Sequence, residues 1–216
     1  MSEGVDAAGA PARHGVIMQG RIAFVVSDED AFVASGLPLV RAAREVELEA
    51  DVITPAASRR AAVEATGACP IGLGADLGSL NPMRAGYSAG QLAAVLKRTK
   101  PDLVHCVGLG PALIGGAAGA MAGIDRRIYA IGPLGKLTGG TGLVARAARW
   151  ATAILLKGPL QSRGTRYVFE TAQDARLLGF GPERAYVHVA GTGIERDVMD
   201  DTQRLYRVML AGAGGA

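Results

Sequence analysis

Apolar positions along this chain fall into two alternating patterns: short runs rich in Val, Ile, Phe and Tyr, and longer stretches in which apolar residues recur at helical spacing. The first run, RIAFVVS at residues 21–27, predicts a buried strand. GLPLVRAAREVELE at 36–49 sets Leu37, Val40, Ala43 and Leu48 near helical spacing with the charges on the other side, predicting a helix. ADVITP at 50–55 predicts a second strand that stops at Pro55, and SRRAAVEATG at 58–67 a short helix with Ser58 as N-cap and Gly67 as C-cap. CPIGLGA is a weaker third strand; a helix is predicted from about 83 to 100, then DLVHCV as a strand. PALIGGAAGAMAG reads as a helix, RRIYAIG as a strand, TGLVARAARWATAILLKG as a long helix, TRYVFE as a strand, TAQDARLLG as a short helix and AYVHVAG as the last strand. Strands separated by helices of this length require right-handed crossovers. The pattern therefore predicts one doubly wound, Rossmann-like α/β domain built on a parallel sheet of about seven strands.

One stretch, HCVGLGPALIGGAAGAMAG at 105–123, is apolar enough to suggest a membrane helix, with Gly115, Gly119 and Gly123 at four-residue spacing. A spanning helix needs about 20 uninterrupted apolar residues, and GLGP interrupts this one. Pro111 suits the first turn of a helix, so the segment reads as strand, loop and helix, its glycines serving close packing on the sheet.

Length and composition support this picture and exclude several others. A chain of 216 residues buries a core without disulfides or metal, and a net charge of +3 with no basic run and no interleaved aromatics gives no sign of nucleic-acid binding. Cys69 and Cys106, both in apolar sequence, form neither a disulfide framework nor a zinc motif, which makes the cytoplasm the expected compartment. Residues 1–20 are small, polar and aperiodic, and read as a disordered lead-in.

Chemistry-bearing motifs are sparse. The loop after the first strand, SDEDAFVASG, is acidic where a dinucleotide fold needs G-x-G-x-x-G to approach a pyrophosphate. Its Asp28, Glu29 and Asp30 resemble the magnesium-holding acids of phospho-receiver domains, but the strand end where a phosphorylated Asp would be needed reads Cys106-Val107. The bland alternative is a solvated acidic loop or helix cap. No metal-binding spacing is present among His14, His105 and His188; His188 reads as an ordinary strand residue. His105 lies near the carboxyl end of a central strand, where parallel sheets build their sites, and is either a core histidine or part of one.

Read in order, RIAFVV with LPLVRAARE, ADVITP, GSLNPMR, KPDLVHCVGLGPALIGGAAGAMAGI, RRIYAIGPLG, YVFETAQDARLLGFGPERA and AGTGIE resemble the N-terminal domain of family 4 glycosyltransferases, over residues 21–197. The resemblance implies a retaining GT-B enzyme, in which two Rossmann-like domains face each other across a cleft. The first binds mainly the acceptor; the second holds the nucleotide-sugar donor. On this basis residues 198–216 are expected to be a truncated tail or the start of a missing C-terminal domain, and Gly36, His105, Gly108 and Lys136 are the implied substrate-binding positions. No metal or other cofactor is implied, and the nucleotide sugar is expected only with the second domain.

The sequence also departs from the family pattern. Ser35-Gly36 stand where His-Arg is frequent, Leu77 where Arg is, Gly110 where Lys is, Gly132-Pro133 where Ser-Gly is, and Lys136 replaces an aromatic residue. Two expectations follow from the resemblance and these losses. The first is the acceptor side of a hexosyltransferase acting on a glycan or lipid-linked acceptor, inactive alone because the donor-binding domain is missing, either by truncation or because it is another polypeptide. The second is a non-catalytic, degenerate remnant that binds or scaffolds. The helix over 143–158, with Leu143, Ala147, Trp150, Ile154 and Leu155 at helical spacing and Arg146, Arg149 and Lys157 beside them, reads as core-facing or, by the resemblance, as a peripheral contact to anionic membrane on its inner face.

Overall fold

The computed structural model describes residues 20–79, 81–132, 142–181, 187–189 and 195–211. Their strands are β1 (Gly20–Val26), β2 (Leu48–Thr54), β3 (Cys69–Gly72), β4 (Leu103–Val107), β5 (Arg127–Ile131), β6 (Thr165–Phe169) and β7 (Val187–Val189). They form one sheet in the order β3-β2-β1-β4-β5-β6-β7, and every neighbouring pair is parallel. The order reverses between β1 and β4, where Val26 lies beside Val107. Central strands read as continuous apolar runs because helices cover both of their faces: Ile22 to Val26, Val52, Ile53 and Leu103 to Cys106 are all buried. Toward the β6 edge the pattern becomes alternating, with Thr165, Tyr167 and Phe169 buried and Arg166 and Val168 half-buried.

One face is covered by α4 (Pro82–Thr99), α5 (Leu109–Ala122), α6 (Leu143–Lys157) and α7 (Ala172–Leu177), whose Leu92, Leu96, Ile114, Leu156 and Ala175 join Val25, Cys106 and Tyr129 in one apolar cluster. The other carries α1 (Glu29–Ser35), α2 (Leu37–Glu45), α3 (Arg60–Glu64) and α8 (Glu195–Ala211) over Phe24, Val52 and Ile128. Tyr129, Tyr167, Phe180 and Phe169 form a row of mutually tilted rings on the first face, with successive centroids 4.5 to 5.5 Å apart. Beneath it the buried Arg127 donates from Nε to the Ile124 carbonyl (2.7 Å) and from Nη1 to the carbonyls of Gly116 (3.2 Å) and Leu160 (3.1 Å). The Ile124 and Leu160 carbonyls lie just past the ends of α5 and α6, where no helical amide follows to take them, whereas Gly116 lies inside α5.

Residues 105–123 are strand, loop and helix; close packing accounts for Gly115 and Gly119, whereas Gly123 has nothing within 4 Å of a would-be Cβ and instead ends α5 at φ 73. A Cβ on Gly115 would lie 2.4 Å from the Cys106 sulfur, on Gly116 2.7 Å from the Tyr129 hydroxyl, and on Gly119 3.1 Å from Cδ of Arg127. The small residues let α5 sit directly on β4 and β5. Among the described residues no helix is long and apolar enough to cross a membrane.

Several expected boundaries are corrected. The acidic segment after β1 is helical: Asp28 accepts from the Ala31 amide (2.9 Å) as N-cap of α1, and Phe32 packs on Phe24. Leu48 belongs to β2, paired beside Gly20, because the chain leaves α2 at Glu45 and turns through Glu47 at φ 61. Ser58 caps nothing; α3 starts at Arg60 and the Ser58 hydroxyl donates to Glu29. Cys69 is exposed at the edge strand, whereas Cys106 is buried.

Residues 198–211, expected as a truncated tail or the start of a missing C-terminal domain, complete α8 and bury Leu205, Tyr206 and Met209 against α2 and the sheet. Their amphipathic spacing supplies the apolar stripe that this face of β1 and β4 requires. The stripe of α6 behaves in the opposite way to a core-facing helix. Leu143 (82% exposed), Trp150 (69%), Ile154 and Leu155 face outward, and among its described side chains only Thr152 and Leu156 are buried.

Candidate functional site at the carboxyl edge of the sheet

In an open parallel sheet, ligands bind outside the carboxyl ends of the strands, at the point where strand order reverses. Here that point lies above Val26 and Val107, between the loops after β1 and β4. The acids after β1 are all engaged. Asp28 caps α1, Asp30 pairs with Arg59 at 2.5 Å, and Glu29 accepts from the Ala56 and Arg59 amides (both 3.1 Å) and from Ser58. Partial burial pushes the Glu29 carboxyl up, but the hydrogen bonds from Ser58, Thr54, Ala56 and Arg59 outweigh it and bring the pKa down to about 2. This tie fastens α1 to the loop after β2, where Ala57 holds φ 54 and donates to Thr54 (2.9 Å). A groove between them, lined by Phe32, Val63 and Pro70, holds about 230 Å³ counted out to open solvent, below the usual size of a ligand pocket. Among the described residues no three His, Cys, Asp or Glu are placed to hold a metal ion.

The loop that leaves the edge strand β3 runs back along the tops of its neighbours. The Leu73 and Gly74 amides donate to the carbonyls of Thr54 (2.8 Å) and Pro55 (2.9 Å) above β2. Farther on, Gly78 reaches the end of β1, where an added Cβ would lie 3.4 Å from Cβ of Ser27. It also meets the first turn of α5: a Cβ on Gly110 would lie 2.9 Å from both the Gly78 Cα and the Leu77 carbonyl oxygen. Leu77 itself is fully buried in the core beneath α4 and α5. Two positions at which the sequence departs from the family pattern, Leu77 and Gly110, therefore touch each other. Neither presents a polar group to a cleft; one is core and the other is a close backbone contact.

The four residues singled out from sequence have different fates. Gly108 lies at the carboxyl edge, leading from β4 into α5 with φ 104, its amide on the Ala130 carbonyl (2.8 Å). Gly36 is buried at the junction of α1 and α2, where a Cβ would fall 2.2 Å from the Phe32 ring, so packing explains it. His105 points into the face covered by α8 and is 2% exposed. Its Nδ1 lies 2.7 Å from the Tyr206 hydroxyl, Nε2 has no partner among the described residues, and burial pushes its pKa down to about 3. Lys136 lies outside the described residues. His188 sits on β7 beside Val168.

One edge residue escaped the sequence reading. Glu170 follows β6 directly, and its carboxylate would lie 3.6 Å from a Cβ on the neighbouring Gly132 at the end of β5. Burial and the nearby Asp174 raise its pKa. Its only sequence signal is its place immediately after the run TRYVF.

No family model matches the sequence, and no curated protein matches it. Solved structures do match. A glycosyltransferase from Rickettsia africae ESF-5 is similar at a TM-score of 0.59 and 14% identity, covering 81% of this chain and 43% of that one. The S. aureus MnaA–UDP co-structure is similar at 0.54 and 22% identity, covering 84% and 46%. A piece of sucrose-phosphate synthase from Thermosynechococcus elongatus is similar at 0.56 and 12% identity, covering 88% of this chain and 99% of that piece. The chain thus spans less than half the length of the first two. With its single seven-stranded parallel sheet, its order reversing between β1 and β4, this chain has the glycosyltransferase-like fold of one Rossmann-like half of a GT-B enzyme.

Proposed function

We propose that this domain is the acceptor side of a retaining glycosyltransferase that uses a nucleotide sugar and a glycan or lipid-linked acceptor. The observation that carries the reading is the likeness of its whole sheet to one half of GT-B structures over 81% to 88% of the chain. In the complete enzyme this half would position the acceptor hydroxyl, and the departing nucleoside diphosphate would be stabilised from the other half. Among the described residues the donor nucleotide finds no glycine-rich cradle: the acids after β1 are engaged by Ala31, Ser58 and Arg59, and the first turn of α5 is met by Gly78. Calorimetric titration of this chain with NAD or with UDP-sugars is expected to give no measurable binding. Micromolar affinity for a UDP-sugar would overturn the division of roles.

A second reading, a non-catalytic binding remnant, is favoured by the close contact of Leu77 and Gly78 with Gly110, which fills the crevice that an acceptor would enter. Pairing the chain with a donor-binding polypeptide and measuring sugar transfer separates the two: transfer supports the first reading, and a stable but inactive pair the second.

The outward stripe of α6 supports peripheral contact with anionic lipid as part of the same reading. Leu143, Trp150 and Ile154 are exposed on it and Arg146 lies beside them, a combination suited to a headgroup boundary. Trp150 is the single tryptophan of the chain, so its emission reports the contact directly. A blue shift is expected with vesicles containing anionic lipid at low salt and reversed as salt rises, and co-sedimentation with the same vesicles is expected to be lost in Trp150→Ser/Arg146→Glu. Equal behaviour with neutral vesicles would leave the stripe without a lipid role.

A further inference from the structure

The loop over residues 74–79 closes the crevice at the strand-order reversal, yet it is held there by few bonds. Gly74, where it begins, adopts φ 70 with nothing within 4 Å of a would-be Cβ. Within the loop the Gly78 amide bonds only to Asp76 of the same turn (2.8 Å). Among the described residues, no backbone hydrogen bond joins 75–79 to the strands beneath. Among the described residues the ties outward are the Ser79 hydroxyl accepting from the Asn81 amide (3.3 Å), the buried Ser88 hydroxyl donating to the Asp76 carbonyl (2.7 Å), the inserted Leu77 side chain, and the glycine-to-glycine contact of Gly78 with Gly110. Segments with few hydrogen bonds to the rest of the structure open locally, at a free energy well below that of global unfolding.

We propose that residues 74–79 are a strap that closes the β1–β4 crevice and lifts as a unit from Gly74, withdrawing Leu77 from the core and uncovering Ser27, Gly108 and the first turn of α5. Ser88 is its latch. As the gate of the proposed acceptor cleft the strap rests on the acceptor-side reading, but its opening does not, and the test below involves no sugar. A smooth glycine contact suits such a device, because two backbones without side chains separate with no interdigitation to undo. The Leu77 side chain, by contrast, reseats in one place and defines the closed position.

The chain carries its own controls for measuring this opening, since Cys69 is exposed and Cys106 buried. In Leu77→Cys, labelling by N-ethylmaleimide is followed peptide by peptide with mass spectrometry. Residue 77 is expected to label more slowly than Cys69 and at least about tenfold faster than Cys106, which reacts only on deeper unfolding. Adding Ser88→Ala should speed residue 77 about tenfold, the effect of one lost hydrogen bond, and speed Cys106 by no more than the same factor, because that bond is broken in the local and in the deeper opening alike. If Leu77→Cys lowers global stability, Cys106 accelerates with it and the ratio of the two rates still reports the strap. Labelling of residue 77 in step with Cys106, with or without Ser88→Ala, would show the loop to be an inseparable part of the core. Labelling as fast as Cys69 would show that the crevice is not closed at all. Either result overturns the proposal.

Discussion

Gly115→Ala is expected to destabilise the domain by about 2–3 kcal/mol, the cost of forcing extra volume into a packed core. The new methyl would lie 2.4 Å from the Cys106 sulfur, on a strand buried on both sides between β1 and β5. Neither partner has an easy escape: α5 is seated against α4 and the sheet, and Cys106 is fully buried. Relief must come from the sulfur. The double variant Gly115→Ala/Cys106→Ala should therefore recover about 1 kcal/mol or more relative to the sum of the single changes, in a denaturant-unfolding cycle. Additive effects would mean that the helix retreats from the sheet as a whole and that the sulfur is not the obstacle.

Acid should destabilise the domain through His105 before ordinary carboxylates begin to titrate. In the folded state burial holds the imidazole neutral down to about pH 3, whereas the unfolded chain binds a proton near 6.5. The folded pKa is the lower one, so the stability this group contributes is complete above about pH 6.5. It drains away as pH falls toward 3, because the unfolded state takes up the proton. Between pH 7 and 5 the loss is about 2 kcal/mol. The Nδ1 contact with Tyr206 ties α8 to this same group, so loosening of α8 should accompany it. His105→Gln, which can still accept from the Tyr206 hydroxyl but cannot charge, should flatten the dependence of melting temperature on pH over that range. An unchanged slope in the variant would assign the acid sensitivity elsewhere. Glu29 adds to the loss only below about pH 4.5, since its hydrogen bonds hold it ionised to about 2.

The alternation of strand and helix patterns sufficed to read a seven-stranded parallel sheet, because strands covered on both faces must be continuous apolar runs and their crossovers must be helical. RIAFVV and DLVHCV carry that signal within themselves. So does the break at GLGP, since Pro111 suits the first turn of a helix and marks where a new one starts. What periodicity could not assign was direction. Leu143, Trp150 and Ile154 have the spacing of a buried stripe, yet they face outward, while the equally amphipathic 195–211 turns its stripe onto the sheet. A helix's period says that it has an apolar face; only the neighbours available to it decide what that face meets.

The candidate site divides along the same line. Gly108 is legible as the turn from a central strand into a helix, a local backbone matter. His105 and Leu77 are not, because their roles depend on which side of the sheet the pleat turns them to and on residues far along the chain: Tyr206, 101 positions away, for the histidine, and α4 and α5 for the leucine. Gly110 is an ordinary helical residue until the loop from β3 is laid across the strand ends, when it becomes the point of closest approach to Gly78. The sequence by itself determined the class of fold, through patterns a few residues long. Tertiary structure alone decided which apolar faces are covered and that the crevice between β1 and β4 is filled by the chain itself, because those contacts join segments that no local pattern relates.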